Sequence, residues 1–190
     1  MRRYFAGYEI GIEVDRVDER HRVFLEATMP HLDAVYSVAR HAGISSMQPD
    51  DLVQETYLNA YKSFSGHVGT STRAWLVTIC LNVARSEGRR LSRRVAERSL
   101  GERDEFVRSE VDVFDTVREN MQSEAVARGL SRLPSEQRLA IVLMDLVGHT
   151  AAEVAEMLQC PRGTVLARVH RGRRRLAGIL AEDGVNRELS

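Results

Sequence analysis

Apolar side chains recur every three to four positions through most of this chain, the spacing of one buried helix face. Phe24, Leu25, Met29, Leu32, Val35, Tyr36 and Ala39 mark a first stripe, ended near Gly43. Leu52, Val53, Thr56, Tyr57, Ala60, Tyr61 and Phe64 form a second, opened by Asp50 and Asp51 where the positive end of a helix dipole would lie. A third runs through Trp75, Leu76, Ile79, Cys80 and Val83, after a polar SGHVGTST stretch. Nothing alternates with period two or reads as a β-hairpin. The pattern predicts an all-α protein.

A second helical group follows from Met121. Leu130 and Leu133 close one helix before Pro134. Ser135 starts another, with Leu139, Val142, Leu143 and Leu146 inward and Gly148 as its stop. Thr150-Ala-Ala-Glu153 is a capping box for a short helix carrying Val154, Ala155 and Leu158. Pro161 suits the first turn of the final helix, whose stripe is Val165, Leu166, Val169, Leu176, Ile179 and Leu180. The expected organisation is two small helical domains, 23–95 and 121–182, joined by a flexible acidic linker, 96–120. Residues 1–22 read as an N-terminal arm, a loose segment or a short helix, and 183–190 as a tail.

Charge changes this picture because it is unevenly spread. The formal net charge is zero, yet from Glu97 to Glu124 nine acids face four arginines, while the final helix carries Arg162, Arg168, Arg171, Arg173, Arg174 and Arg175 without an acid as far as Leu180. Arg85, Arg89, Arg90, Arg93 and Arg94 make a second basic stretch. A balanced sum leaves room for nucleic-acid binding, which depends on where charge sits. The two cysteines, Cys80 and Cys160, are far apart in sequence and no Cys/His grouping has metal-ligand spacing, so neither a disulfide scaffold nor a zinc site is indicated and a reducing, cytoplasmic setting is expected. No apolar run is long enough for a signal peptide or membrane span. No triad, paired carboxylate site or phosphate loop supports an enzyme, and no cofactor is expected.

A short helix, a tight turn and a longer helix with polar residues at its start form a helix-turn-helix pattern. Ala155 is small where the two helices would cross, although Gln159 stands at the turn where glycine would be easier. The first turn, Arg162-Gly163-Thr164, offers backbone N–H groups and a hydroxyl to a phosphate. The alternatives for this segment alone are a solvated basic helix and a contact with an acidic protein or membrane surface.

DDLVQETYLNAYKSF followed by RAWLVTICLNVARSEGRR resembles region 2 of the sigma-70 family. LSRLPSEQRLAIVLMDLVGHTAAEVAEMLQCPRGTVLARVHRGRRRL resembles region 4. With only an acidic linker between them, the chain resembles an extracytoplasmic-function (group 4) sigma factor over about residues 24–95 and 122–180. The resemblance implies a non-catalytic transcription initiation subunit that binds core RNA polymerase, through the β′ clamp coiled coil and the β flap, and promoter DNA. It also implies control by an anti-sigma factor and no membrane insertion.

Residue by residue, the resemblance implies polymerase contacts at Asp50, Asp51, Leu52, Gln54, Glu55 and Tyr57. Core packing serves equally for Leu52 and Tyr57, and helix capping for Asp50 and Asp51. Contacts that open the −10 element and hold a flipped base are implied at Gly66, His67, Val68, Gly69, Thr70, Ser71, Asn82, Arg85 and Arg89; Trp75 is assigned to the core. An extruded base needs a pocket that stacks and hydrogen-bonds it. In the −35 element, Ala167, His170 and Arg171 are expected at base edges and Arg162, Gly163, Thr164, Arg168 and Arg174 at phosphates. Ala167 stands where relatives commonly carry serine, so a base contact there would be apolar. The competing reading is a helix-turn-helix regulator of the LuxR type that binds duplex DNA without polymerase; it leaves the region 2-like segment unexplained.

Overall fold

The computed structural model describes residues 10–65, 71–98 and 119–183, and every element within them is helical. α1 (Ile10–Thr28) passes through a 3-10 turn containing Pro30 into α2 (Leu32–His41), followed by α3 (Pro49–Ser63) and α4 (Thr72–Arg98). The second half holds α5 (Glu119–Ser131), α6 (Ser135–Ile141), α7 (Ala151–Leu158) and α8 (Arg162–Glu182).

In the first half the stripes close on one another. Val35 and Val38 of α2, Leu52 and Ala60 of α3, and Leu76, Val77, Cys80, Leu81 and Ala84 of α4 are buried together. Burying a large aliphatic side chain contributes about 1.5–3 kcal/mol relative to leaving it in water. Thr56 and Thr28 enter this core because each hydroxyl donates to a carbonyl one turn back, at Leu52 (2.6 Å) and Phe24 (2.7 Å). Phe24 meets Tyr57, Tyr61 and Phe64 edge-on, with ring centroids 6.3, 5.2 and 5.2 Å away. The helix that carries Phe24 continues back to Ile10, into the segment read from sequence as an arm. Arg20 on it donates to the carbonyls of Tyr61 (2.9 Å) and Phe64 (3.2 Å) and lies over the Tyr61 ring. That satisfies acceptors left over at the end of α3.

The second half is organised by close approach of α8 to α6. Gly172 is buried, and a Cβ there would stand 2.7 Å from Ile141 Cδ1 and 3.3 Å from Gln137 Cβ. Val165, Val169 and Ile179 continue the same buried stripe. After Ile141 the helix widens into one π turn, Val142–Leu146, closed by Val147 N–H donating to the Val142 carbonyl at 3.0 Å. One extra residue in the turn rotates everything after it. Val147 therefore takes the buried position at 6% exposure, and Leu146, expected inward from its spacing, is 47% exposed. Gly148, at φ 76, ends this segment, as Gly43, at φ 60, ends α2. Arg138 lies against the Gly43 Cα, where a side chain would otherwise stand.

α7 begins with the expected capping box. The Thr150 hydroxyl accepts from Glu153 N–H at 3.2 Å, and the Glu153 carboxylate accepts from Thr150 N–H at 2.8 Å. Such a cap is worth about 1 kcal/mol. Gln159 takes the left-handed conformation at φ 53, letting Cys160 N–H reach the Ala155 carbonyl and turning the chain into α8.

The two halves share one hydrophobic core. α2 packs against the π turn, α5 and α6, and α4 against α7. Arg73 donates to the Gly148 carbonyl at 3.3 Å and Arg138 to the Gly43 carbonyl at 3.5 Å. Beside the first of these bonds lies His149, with a fully buried side chain whose ring nitrogens both lack a hydrogen-bond partner. Its Nδ1 is 3.8 Å from the Glu153 carboxylate. Burial, reinforced by the Arg73 charge and opposed by Glu153, holds the imidazole below its ordinary value of 6.5.

Two predictions rest on this packing. Gly172→Val should destabilise the chain by about 1–3 kcal/mol in a urea titration, the typical cost of overpacking a close helix crossing. His149 binds a proton less readily in the folded chain than in the unfolded one, so the unfolded chain binds more protons as pH falls through 6.5. Its contribution to stability is complete above that value and lost as pH falls through it toward the lowered folded value. His41, lowered by burial and then by Arg40, acts in the same direction. Denaturation midpoints should drop between pH 7.5 and 5.5, with a shallower drop in His149→Phe.

Candidate nucleic-acid interface

α8 buries one stripe and leaves the rest of its circumference to water. Its first turn opens on the surface: Arg162 and Gly163 are exposed, Thr164 is half-buried, and an added Cβ at Gly163 would meet nothing. Pro161 precedes this turn, and its carbonyl accepts from Thr164 N–H at 2.9 Å. His170, Arg171 and Arg174 are exposed further along, with Ala167 half-buried between them. Among the described residues no ion pair holds Arg162, Arg171 or Arg174. These residues form one continuous basic surface with the free backbone N–H groups of a helix start, suited to phosphate and base-edge contact.

Two arginines of the same helix are engaged within the domain. Arg168 turns back to pair with Glu136 at 2.9 Å, with its other Nη 3.8 Å from Cys160 Sγ, and its side chain is only 18% exposed. Sequence spacing put Arg168 with the phosphate contacts; here its guanidinium ties α8 to α6. Arg173 forms a two-pronged pair with Asp145 of the π turn, at 2.5 and 2.9 Å, which raises its pKa further. Leu166, read from its spacing as core, is 45% exposed beside the basic surface.

The second basic surface is on α4. Asn82, Arg85 and Arg89 are exposed and spaced three and four residues apart, so they lie along one face. Arg89 donates to Ser86 Oγ at 2.9 Å. Arg85 reaches across to the Met157 carbonyl at 3.3 Å, near the C-terminal and therefore negative end of α7. Ser71 caps α4: its hydroxyl accepts from Ala74 N–H at 3.2 Å and its carbonyl from Trp75 N–H at 3.0 Å. Trp75 is half-buried, its ring centroid 6.4 Å from that of Phe64. Gly66, His67, Val68, Gly69 and Thr70 lie outside the described residues, as does most of the linker.

On α3, Asp50, Asp51 and Gln54 are exposed and Glu55 is half-buried, accepting from Asn59 Nδ2 at 2.9 Å. Leu52 is fully buried, at 0% exposure. Tyr57 is half-buried and donates to the Thr28 carbonyl at 3.1 Å; burial, then the Asp33 charge, pushes its phenol up to about 12. Leu52 thus belongs to the core, and Tyr57 packs against its edge. Leu58, which the sequence did not single out, is 47% exposed on the face of Asp51, Gln54 and Glu55. Its period-breaking position was the available signal, since it falls three to four residues after Gln54 and Glu55 and seven after Asp51. Among the described residues no cluster of metal-ligating side chains occurs, and no helix is long and apolar enough to cross a membrane.

The family model for Sigma-70 region 2 matches residues 28–94, and that for Sigma-70, region 4 matches residues 123–176. The ECF RNA polymerase sigma factor EcfG of Rhodopseudomonas palustris (strain TIE-1) is 34% identical over 136 residues, covering 71% of this chain and 72% of that protein. Among solved structures, CnrH in complex with the cytosolic domain of CnrY is similar at TM-score 0.61 and 27% identity, over 86% of this chain and 90% of that one. The sigma factor RpoE in complex with the anti-sigma factor NepR, from Bartonella quintana, is similar at TM-score 0.59 and 28% identity, over 88% and 97%. Two basic helix faces, carried by the segments that match regions 2 and 4, thus occur in a chain that belongs to the sigma-70 family as an extracytoplasmic-function RNA polymerase sigma factor.

Proposed function

We propose that this chain directs core RNA polymerase to two-part promoters, with α8 in the major groove of the −35 element and the Asn82–Arg89 face of α4 at the −10 element. The observation that carries this reading is the exposed start of α8, where Arg162, Gly163, His170, Arg171 and Arg174 share one solvent-facing surface. Arg171 and His170 suit base edges, and Arg162 and Arg174 suit phosphates. The exposed face of α3, with Asp51, Gln54, Glu55 and Leu58, is the docking surface for the β′ clamp, and region 4 meets the β flap. The chain is a non-catalytic subunit working in the cytoplasm. RpoE was solved with the anti-sigma factor NepR and CnrH with the cytosolic domain of CnrY, and an anti-sigma factor is the corresponding partner here. A LuxR-type regulator would have no use for the region 2 segment.

Arg85 donates one of its N–H groups to the Met157 carbonyl, so the face assigned to the −10 element also touches α7.

Run-off transcription from a promoter library with purified core polymerase tests the reading. Discrete transcripts should appear only when the chain is added; no transcript above the core background, from a folded protein, overturns it. On a promoter so selected, Arg171→Ala should lower holoenzyme binding about 5- to 150-fold and relax selectivity at one base pair, as expected for loss of a bidentate base contact. Arg174→Ala should instead weaken all sequences alike and reduce the slope of log K against log salt by about 1.

A further inference from the structure

Leu166 is out of place as a structural residue. Its neighbours Val165 and Val169 are 0% and 3% exposed, whereas Leu166 is 45% exposed. It sits one position off the buried stripe, on a helix whose other exposed positions from Arg162 to Arg175 are glycine, histidine or arginine. Beside Met144 and Val169 it keeps nearly half its surface exposed, apolar area that a partner would cover. Position narrows that partner. Leu166 follows Arg162 and Gly163 by one turn and precedes His170 by one turn, so it lies at the edge of the surface assigned to the bases, next to His170. Gly163 leaves this surface low, with open space where a side chain would stand, and Ala167 adds only a methyl group. The result is an apolar step in a basic surface, able to approach a base pair closely.

In the major groove the apolar feature that distinguishes one base from the others is the C5-methyl group of thymine. We propose that Leu166 is a specificity-determining residue that recognises a thymine methyl in the −35 element, with Ala167 beside it. This rests on the assignment of α8 to the −35 element. It adds a chemical selection that the arginines cannot make, since guanidinium groups favour guanine.

Deoxyuridine tests the contact because it removes only the methyl group. Holoenzyme would first be used to select a promoter; each thymine of its −35 element, on either strand, would then be replaced singly, and binding compared for wild type and Leu166→Ala. For wild type, one replacement should weaken binding about 4-fold, the effect of one buried methyl-sized group. In Leu166→Ala the same replacement should have no further effect, while replacements elsewhere act equally on both proteins. An undiminished methyl effect in Leu166→Ala, no methyl effect at any thymine, or a −35 element lacking thymine on both strands overturns the proposal. Loss of core-polymerase binding by Leu166→Ala, with no methyl effect in wild type, would also overturn it and assign the side chain to a protein contact. Scrambling the −35 element separates the two levels: if that leaves wild-type binding unchanged, the assignment of α8 itself fails. Because Leu166 is exposed, its melting temperature serves as the folding control and should match wild type.

Discussion

The DNA-reading half of this protein depends on how closely α8 lies against α6 at Gly172. With no side chain at that crossing, the helices meet backbone to side chain, with Ile141 and Gln137 filling the space. The crossing fixes the rotation of α8 about its axis, and that rotation decides which residues reach solvent. Val165, Val169 and Ile179 follow Gly172 inward, so the arginine-rich remainder faces out. Burial of an aliphatic stripe thus sets the direction of the charges, and the charges themselves contribute little to the fold. Arg168 and Arg173 are the exceptions, spent on pairs with Glu136 and Asp145 that hold α8 to the helix beneath it.

A second constraint joins the two halves. Helix ends and loops leave carbonyls without partners, and here arginines from the opposite half supply several of them. Arg73 reaches Gly148, Arg85 reaches Met157 and Arg138 reaches Gly43. These contacts surround a shared apolar core and the unbonded imidazole of His149. Arg85 belongs both to this junction and to the face proposed for the −10 element.

Much of this was legible in the sequence, for identifiable reasons. Helical period, the Thr150–Glu153 capping box and the stops at Gly43 and Gly148 are local signals, and the structure follows them. The turn at Gln159 was recognisable from the flanking helices although the residue is not glycine; it adopts φ 53, a strain of about 1–2 kcal/mol that the surrounding packing sustains. The π turn carried no sequence signature, and it moved Leu146 outward and Val147 inward. The site was read less evenly. Leu52 and Tyr57 were ambiguous between docking and core because both lie among apolar positions; Leu52 is fully buried, while Tyr57 packs against the core and stays partly exposed. Arg168 was indistinguishable from its neighbours until Glu136, distant in sequence, was seen to hold it. Leu166 was hidden by the opposite effect, since its spacing placed it in the core stripe until the helix rotation was known, whereas Leu58 stood outside its stripe.

The central claim is that the chain reads duplex DNA through α8 but separates strands only as part of the polymerase. Permanganate oxidises unpaired thymines and measures this directly on a promoter the holoenzyme transcribes. The account predicts reactive thymines confined to the −10 element when chain, core polymerase and promoter are together, and none with the chain or the core alone. Reactivity induced by the free chain, or a transcribing holoenzyme that leaves the −10 thymines unreactive, would contradict it.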